Sequence, residues 1–379
     1  MARRALTRRL ALGLVGLLNR LVPKDPALVV VYGLTESEDG ALAVQQALSR
    51  RGHSSVRLTD TAHPAHRSAT VQYRLKSSLA GVWSFARAGT VFTSHALYGG
   101  QSSPPNQQLV LFWHGEGVVK PVGLLDGDPP VHADVAPVCS QVGRAFRCAE
   151  FGLHPMQVPV LGAPRNDRML SASRDDVRKR MGWTEQPRWL WLPTYRSAVR
   201  GGLRTDVSSP NGLPFDDDAL RRLDRGLAER GISVILKPHP LSDQSLPADL
   251  EHLQILGQKQ LDRSGVSLYE LLGATDGLVT DVSSVWLDYL LTQRPIVFAF
   301  PDVDAYRSSR GINLEPYEEW VPGPMAMDVE SLLAHLVSFT TGTDDYEARR
   351  GEMLRRFQRF TDAHSADRLL DAVNLRPVV

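Results

Sequence analysis

Short apolar runs alternate with amphipathic stretches along most of the chain. Residues 28–32, LVVVY, have the composition of a buried parallel strand, and residues 38–50 have the apolar spacing of a helix that ends before Gly52. The pattern predicts further strands at 55–58, 90–93 and 109–113, and it predicts one helix over 70–87. The alternation continues through 135–139, 141–151, 157–161, 189–192, 218–230, 232–236, 254–256, 267–272, 277–280 and 295–300. Helical spacing returns in 329–337, 346–360 and 366–373, which we expect to pack on the outside.

A break in this alternation at residues 166–187 divides the chain. Strands that alternate with helices form parallel sheets covered by helices on both faces, so each half predicts a doubly wound α/β domain. A length of 379 residues allows two domains of roughly 150 residues each. We therefore predict two Rossmann-like domains, 25–170 and 171–345, that face each other across a cleft. An N-terminal segment, 1–24, precedes them and C-terminal helices, 346–379, follow.

The first 24 residues differ from the rest of the chain. They contain six basic residues and no acidic residue, and leucines recur three or four positions apart at 6, 10, 14, 17 and 21. This pattern predicts a basic amphipathic helix. Its uninterrupted apolar run, 10–18, is shorter than the roughly 20 residues that cross a bilayer, which favours a helix lying on an anionic membrane surface. A signal peptide and a helix that packs on its own domain are the alternatives, although no small-x-small cleavage site follows before Pro23.

Composition narrows the class of protein. Hydrophobic residues make up 42% of the chain and charged residues 22%, which is an ordinary globular profile. Outside the N-terminal segment the chain is slightly acidic, so it lacks the basic face that nucleic-acid binding requires. Its two cysteines, Cys139 and Cys148, form neither a C-x-x-C motif nor a zinc-ligand spacing. We expect a cytoplasmic protein without a disulfide framework.

Polar clusters follow four of the apolar runs. They contain His114 and Gly115; Thr194 and Arg196; Lys237 and His239; and Asp281, Ser283 and Ser284. In open α/β sheets the ligand crevice lies at the carboxyl ends of the strands, so we expect the four clusters to line one site.

Asp281, Ser283 and Ser284 lie where a strand meets a predicted helix, 283–292. Hydroxyl groups and backbone N–H groups at a helix N-terminus hold phosphate without a metal ion. The same residue types are the commonest helix caps, so capping is the alternative. The three other clusters favour phosphate binding.

His114 is the candidate general base. It follows a buried strand, histidine titrates near neutral pH, and Gly115 permits close approach by a ligand. A histidine hydrogen-bonded within the core is the alternative. The loop does not complete a dinucleotide motif, because Lys120 stands where G-x-G-x-x-G requires its third glycine. Arg165 is either an anion-binding group or a surface residue paired with Asp167.

Other chemistry has little support in the sequence. Three pairs of residues have a spacing that metal ligands use: His63 and His66, Asp126 and Asp128, and Asp302 and Asp304. Aspartates are common in turns, and the histidines have no carboxylate or cysteine at ligand spacing, so we expect no metal site. The motifs G-x-S-x-G and G-x-x-x-x-G-K-[ST] do not occur, which argues against a hydrolase and a P-loop NTPase.

Eight motifs occur in a defined order between residues 27 and 346: Trp113-His114-Gly115, Gly162-Ala163-Pro164-Arg165-Asn166-Asp167, Pro193-Thr194-Tyr195-Arg196, Lys237-Pro238-His239-Pro240, Thr280-Asp281-Val282-Ser283-Ser284, Asp288-Tyr289, Arg310-Gly311 and Val321-Pro322-Gly323-Pro324. Together they resemble the CDP-glycerol glycerophosphotransferase family of teichoic acid primases and polymerases. The resemblance implies a GT-B fold, with 25–170 on the acceptor side and 171–345 binding the CDP donor. It implies transfer of a polyol phosphate from CDP-glycerol or CDP-ribitol to a hydroxyl of a lipid-linked saccharide acceptor, with glycerol phosphate as the preferred candidate.

The resemblance also assigns roles to single residues. His114 matches the base that deprotonates the acceptor hydroxyl, and His239 matches a second catalytic histidine that contacts phosphate or the leaving group. The residues that match donor-phosphate ligands are Lys237, Ser283, Ser284, Arg310 and Arg196. Further cleft residues are Asp281, Gly115, Glu116, Arg165 and Thr194. No cofactor is implied, since the CDP-polyol is the substrate, and the expected location is the inner face of the cell membrane.

The chain departs from the family pattern at Glu116, where the family usually has threonine or serine. An acidic neighbour raises the pKa of a histidine or contacts a different acceptor, so the identity of the acceptor stays open. The short N-terminal part favours a primase that adds one unit over a processive polymerase. The alternatives are a GT-B glycosyltransferase that uses a sugar nucleotide and a noncatalytic, nucleotide-binding membrane scaffold.

Overall fold

The structure is a computed structural model. It describes residues 2–35, 37–61, 70–121, 131–194, 199–200, 203–204, 213–238 and 246–378, with backbone alone for 2–8, 199–200 and 203–204. The strands in these residues are β1 (Asp25–Tyr32), β2 (Ser55–Thr59), β3 (Val71–Leu75), β4 (Ala88–Thr93), β5 (Gln108–Leu111), β6 (Arg188–Trp191), β7 (Val199–Arg200), β8 (Leu203–Arg204), β9 (Ser233–Leu236), β10 (Leu253–Ile255), β11 (Gly277–Thr280), β12 (Ile296–Ala299) and β13 (Met325–Ala326). The α-helices are α1 (Ala2–Leu21), α2 (Asp39–Arg50), α3 (Leu79–Arg87), α4 (Gln141–Phe151), α5 (Pro164–Ser171), α6 (Arg174–Arg180), α7 (Asp217–Arg230), α8 (Gln258–Ser264), α9 (Leu268–Ala274), α10 (Val285–Tyr289), α11 (Val303–Arg310), α12 (Val329–Thr340), α13 (Glu347–Phe357) and α14 (Ser365–Ala372).

The chain forms two compact units. Unit 1 contains Met1–Glu116, Asp128–Arg168 and Asp362–Val379, and unit 2 contains Gly117–Gly127 and Met169–Thr361. The C-terminal helix α14 therefore belongs to unit 1 together with the N-terminal part of the chain, and the segment after Glu116 belongs to unit 2. The domain ranges stated from the sequence stay predictions.

Unit 1 is built on a parallel sheet with the strand order β3-β2-β1-β4-β5. Its central strand β1 is apolar throughout residues 28–32 because helices cover both of its faces. Val29 and Val31 pack with residues of α2 and α14, whereas Val30 and Tyr32 pack with Phe85 of α3. The alternation of side chains along the strand thus divides the core of unit 1 into two layers.

Unit 2 is built on a second parallel sheet with the strand order β10-β9-β6-β11-β12-β13. One face is covered by α7 and α12, whose leucines pack against Trp189 and Trp191 of β6. The Trp286 ring of α10 makes T-shaped contacts with Phe298 of β12 and Phe357 of α13, with ring centroids 6.1 and 5.7 Å apart. Two parallel sheets confirm the predicted α/β class.

Both sheets share one topology. With the strands numbered within each of the two parallel sheets, both have the order 3-2-1-4-5, and the sheet of unit 2 adds a sixth strand. This is the doubly wound order, in which the strands are added in one direction from the first strand and in the opposite direction from the fourth. The switch point lies between β1 and β4 in unit 1 and between β6 and β11 in unit 2. Ligands of such sheets bind beyond the carboxyl ends of these strands.

Some local predictions were wrong. Residues 70–87 contain β3 before α3, and not one helix. The sequence of β3, VQYRL, alternates apolar and polar residues as an edge strand does, and Ser78 starts α3 by accepting a hydrogen bond from Gly81 N. Residues 135–139 and 157–161 form only isolated bridges, Val110 with Val135 and Val138 with Val160.

The N-terminal helix α1 presents two different faces. Its inner face packs against α3, and Asn19 is buried with Nδ2 donating to Gln107 Oε1 at 2.8 Å. The leucines of its other face are exposed: Leu10, Leu14, Leu17 and Leu21. Among the described residues, no helix has both the length and the apolar character needed to span a membrane.

Candidate functional site

The polar residues predicted in the second half of the chain follow three neighbouring strands of unit 2. Thr194 follows β6, Lys237 follows β9 and Asp281 follows β11. Because β6 lies between β9 and β11 in a parallel sheet, these three strand ends meet at one edge. The structure therefore brings together the described residues of three of the four predicted clusters, whereas His114 belongs to unit 1.

Asp281 connects two of these strand ends. Its carboxylate accepts hydrogen bonds from Thr194 N, at 2.9 and 3.1 Å, and from Thr194 Oγ1 at 2.5 Å. It also accepts a bond from Ser283 N at 3.2 Å, and Tyr317 Oη donates to the backbone oxygen of Asp281 at 2.8 Å. Asp281 is 1% exposed. A buried carboxylate with these donors holds the turn after β6 against the turn after β11.

The turn that Asp281 holds carries Ser283 and Ser284. The helix predicted for 283–292 is shorter in the structure, because α10 has five residues and a 3₁₀ turn, Leu290–Thr292, follows it. Ser284 precedes α10, and its side chain makes no capping hydrogen bond. Capping therefore does not account for Ser284. Since so short a helix has a small dipole, the turn offers hydroxyl groups more than a charged helix terminus.

Lys237 places a buried cation at the same edge of the sheet. The residue is 7% exposed, and its backbone N–H donates to Trp191 O at 3.0 Å, which ties it to the neighbouring strand β6. Burial lowers the pKa of Lys237, and the negative charge of Asp262 opposes that shift. A phosphate bound beside the ammonium would favour its charged form in the same way.

Arg310 is the last residue of α11. Its guanidinium carbon lies 5.7 Å from the centre of the Tyr306 ring. Arg307, one turn earlier, forms ion pairs with Asp304, Glu315 and Glu318. Asp304, one of the residues with metal-ligand spacing in the sequence, thus pairs with an arginine. The described residues contain no cluster of three side chains that could hold a metal ion.

His114 lies in the loop that follows β5, and its side chain is exposed, so it is not a core histidine. The carbonyl groups on both sides of it accept hydrogen bonds from arginines. Arg165 Nη1 donates to Trp113 O at 3.0 Å, and Arg147 Nη2 donates to Gly115 O at 2.8 Å. Both arginines are buried. The loop backbone is held from the inside while the imidazole stays open to solvent.

Glu116 is buried beside the first turn of α4. A Cβ atom at Gly143 would lie 2.6 Å from Glu116 Oε2, so the carboxylate occupies space that only glycine leaves free. Arg165 Nη2 lies 4.0 Å from Glu116 Oε1. The positive end of α4 and Arg165 together compensate the charge of the carboxylate. Arg165 is therefore an interior residue, and the alternative of a surface residue paired with Asp167 is wrong in its placement at the surface. The Asp167 carboxylate accepts hydrogen bonds from the backbone N–H groups of Ser365 and Ala366.

Arg147 has an unusual environment for a charged group. Its Nη1 lies 3.5 Å from Glu150 Oε2 in the interior of unit 1, and its guanidinium lies over the rings of Trp113 and Phe151. Burial lowers the pKa of Arg147 and raises the pKa of Glu150 to about 7. The Gly115 carbonyl and the two aromatic faces add to the stabilisation of the Arg147 guanidinium.

Sequence reasoning did not identify His95, which contacts the candidate base. The rings of His95 and His114 stack with centroids 4.5 Å apart and an angle of 6° between their planes. Burial lowers the pKa of His95 to about 4, so it is neutral at physiological pH. Two positive charges at this separation would repel by about 4 kcal/mol at an effective dielectric constant of about 20, and a neutral His95 avoids this cost when His114 takes up a proton. Its signal in the sequence is its place two residues after the strand predicted at 90–93, close to the position that His114 has after 109–113.

Several predicted residues lie outside the described part of the chain. They are His239, Arg196, His63, His66, Asp126 and Asp128. The proposed roles of His239 and Arg196 stay predictions, as do those of the site residues that the structure places.

Comparison with known proteins identifies the family of this chain. The model of the family described as CDP-glycerol:poly(glycerophosphate) glycerophosphotransferase matches residues 18–375. A teichoic acid ribitol-phosphate polymerase, TarK, of Staphylococcus aureus is 25% identical over 283 residues, which are 70% of this chain and 52% of that protein. A teichoic acid glycerol-phosphate primase of Bacillus spizizenii is 25% identical over 337 residues, 84% of this chain and 80% of that protein.

The solved structures show the same fold. The chain matches the wall teichoic acid polymerase TagF with a TM-score of 0.79 at 18% identity, over 98% of this chain and 96% of that chain. It also matches a UDP-GlcNAc 2-epimerase from Neisseria meningitidis with a TM-score of 0.52 at 9% identity, over 94% of this chain and the whole of that one. The two parallel sheets and these neighbours identify a GT-B-like fold. The chain spans about half the length of the first curated relatives it matches. Because the family model covers almost all of the sequence, the chain belongs to the CDP-glycerol:poly(glycerophosphate) glycerophosphotransferase family.

Proposed function

We propose that this chain transfers a polyol phosphate from a CDP-polyol to a hydroxyl group of a lipid-linked saccharide. Glycerol phosphate is the preferred candidate for the transferred group. The observation that carries the proposal is the turn fixed by Asp281, which presents Ser283 and Ser284 at the switch point of unit 2 in a chain of this family. Relatives named as glycerol-phosphate primases and ribitol-phosphate polymerases support the two candidate polyols.

In the proposed reaction the acceptor oxygen attacks the phosphorus that carries the polyol. The bond from that phosphorus to the oxygen of CMP breaks, CMP leaves with the electron pair, and His114 takes the proton of the acceptor hydroxyl. Charge spreads over the phosphoryl oxygens during this step, so positioned cations and hydrogen-bond donors supply most of the catalysis. Lys237, Ser283, Ser284 and Arg310 supply them from unit 2, and we assign Arg196 and His239 to the same task.

Unit 1 supplies the base in this proposal. His114 has the two properties that the role requires: an exposed imidazole, which an acceptor can reach, and a backbone held by Arg147 and Arg165. Glu116 is buried against α4, where a residue of the family pattern would be smaller. We assign to it the packing of the His114 loop.

The proposal is tested by CMP release from CDP-glycerol and from CDP-ribitol, with a short lipid-linked disaccharide as acceptor. Turnover with one of the two donors supports the transferase and identifies its polyol. If neither donor releases CMP although CDP raises the melting temperature, the polyol-phosphate transferase is rejected in favour of a noncatalytic nucleotide-binding protein. If UDP raises the melting temperature and CDP does not, a glycosyltransferase that uses a sugar nucleotide replaces it.

We further propose that α1 places the protein on the inner face of the membrane, where a lipid-linked acceptor would lie. Its exposed leucine row, Leu10, Leu14, Leu17 and Leu21, is flanked by the exposed Arg9 and Arg20. The neighbouring helix α3 exposes Leu79 and Trp83. An apolar row with arginines at its border fits the interface of an anionic membrane.

Replacing Leu10, Leu14 and Leu17 together by aspartate is expected to weaken binding to phosphatidylglycerol vesicles about 100-fold or more. Burying one leucine in an apolar environment contributes about 1.5–3 kcal/mol, so losing three removes most of the binding energy. Co-sedimentation with vesicles measures the effect. Met156→Asp, at an exposed apolar residue elsewhere in unit 1, is the matched control and should bind as wild type. Equal sedimentation of the triple variant and the wild type would contradict the membrane role of α1.

A further inference from the structure

His95 is a half-buried histidine that the proposed roles leave unused. Its ring stacks on His114, and the Trp113 ring contacts both, with centroids 5.5 Å from His95 and 4.6 Å from His114. An exposed side chain on a loop ordinarily exchanges between rotamers. The parallel stack limits the imidazole of His114 to one plane.

A chain of hydrogen bonds holds His95 itself. His95 Nδ1 lies 2.8 Å from Ser94 Oγ, and Ser94 Oγ donates to Glu38 Oε2 at 2.5 Å. The backbone N–H of Leu34 donates to the same carboxylate oxygen at 2.7 Å. A serine hydroxyl has one proton, and Ser94 gives it to Glu38, so its oxygen accepts the proton on Nδ1 of neutral His95. This leaves the lone pair on Nε2 and selects one tautomer.

The turn after β1 is shaped to bring Glu38 to this position. A Cβ atom at Gly33 would lie 2.6 Å from Glu38 Oε2 and 3.0 Å from Arg57 Nη2, so only glycine lets the carboxylate approach. Arg57 is buried, and its Nη2 donates to Thr35 O at 3.3 Å. Glu38 follows β1 and Ser94 follows β4, so the chain of hydrogen bonds spans the switch point of unit 1.

We propose that Glu38, Ser94 and His95 form a relay that holds the His114 imidazole in the orientation in which it accepts the proton of the acceptor hydroxyl. The inference rests on the proposed function and adds three positioning residues to it. His95 does not take the proton, because a half-buried ring with a pKa of about 4 is a weak base near neutral pH. His95 instead holds the His114 imidazole in place through the stacked face of its ring.

The relay is tested by kcat and KM for CMP release in three variants. His95→Ala removes the ring, and we expect kcat to fall about 30-fold with KM for the CDP-polyol within about twofold, because misplacing a catalytic group by 1 Å can cost 10²-fold in rate. His95→Phe keeps a flat ring and should restore kcat to within about fivefold of wild type. Ser94→Ala releases the His95 ring from Glu38 and should lower kcat about fivefold. His53→Ala is the matched control, since His53 lies in unit 1 and bonds the carbonyl of Arg376.

The outcomes separate the relay from the proposed function. If the wild type and His53→Ala release no CMP from either donor, the proposed function fails, and the relay fails with it. If both are active and His95→Ala keeps kcat within twofold of wild type, the relay is wrong. A folded His95→Phe variant as slow as His95→Ala would also overturn it, because the stacked ring would then not be what acts. Should His95→Ala not fold, Ser94→Ala decides, and an unchanged kcat there overturns the relay.

Discussion

Replacing His114 by alanine or asparagine is expected to lower the rate of CMP release by about 10³-fold, within the range of 10²–10⁴ that general base catalysis contributes. The acceptor hydroxyl must lose its proton as its oxygen bonds to phosphorus, and neither replacement accepts a proton near neutral pH. The His114 imidazole is exposed, while the loop that carries it is held by two buried arginines. The variants therefore lose the base and keep the loop.

Single-turnover CMP release measures this effect, and the rise in melting temperature with CDP measures donor binding. Since His114 is not among the proposed donor ligands, CDP should protect the variants as it protects the wild type. Added imidazole should restore part of the rate in His114→Ala, because a free base can enter the space that the side chain leaves. His132→Ala replaces another exposed histidine of unit 1 and should keep the wild-type rate. A His114→Ala rate within tenfold of wild type would show that another group removes the proton.

The sequence predicted the sheets well because their central strands are covered on both sides. The run at 28–32 and the runs that became β6, β9, β11 and β12 are almost entirely apolar, and a short run of that composition is typical of a buried strand of a parallel sheet. The edge strand β3 lacks this signal, since Gln72 and Arg74 alternate with its apolar residues. It was predicted as part of a helix for that reason.

The sequence predicted less of the site because the contacts there join distant positions. Asp281 and Thr194 were chosen from two separate motifs, and their hydrogen bonds depend on β6 and β11 being neighbours, which no local pattern states. The relay from Glu38 through Ser94 to His95 depends in the same way on the pairing of β1 with β4. Periodicity predicts a strand, whereas the order of strands in the sheet decides which polar residues meet.

Replacing Asp281 by alanine is expected to destabilise unit 2 by about 3 kcal/mol, because each buried donor left without an acceptor costs about 1–3 kcal/mol. The donors concerned are Thr194 N, Thr194 Oγ1 and Ser283 N, all of which bond the Asp281 carboxylate. For a unit of this size, the loss corresponds to roughly 6–12 °C in melting temperature. The affinity for CDP should fall as well, because the turn that presents Ser283 and Ser284 loses its attachment to the turn after β6.

Calorimetry with and without CDP separates the two effects of Asp281. We expect Asp281→Ala to melt at a lower temperature and to gain little from CDP, and we expect Asp281→Asn, which keeps one acceptor oxygen, to lie between it and the wild type. Asp304→Ala is the matched control in unit 2: its carboxylate is exposed and pairs with Arg307 at the surface, so its stability should change by less than about 0.5 kcal/mol. A stable Asp281→Ala that still responds to CDP as wild type would mean that neither serine depends on the Asp281 turn. A destabilised variant with an unchanged CDP response would show that the turn stabilises unit 2 without contributing to CDP binding. The phosphate contacts would then be assigned to Lys237 and Arg310.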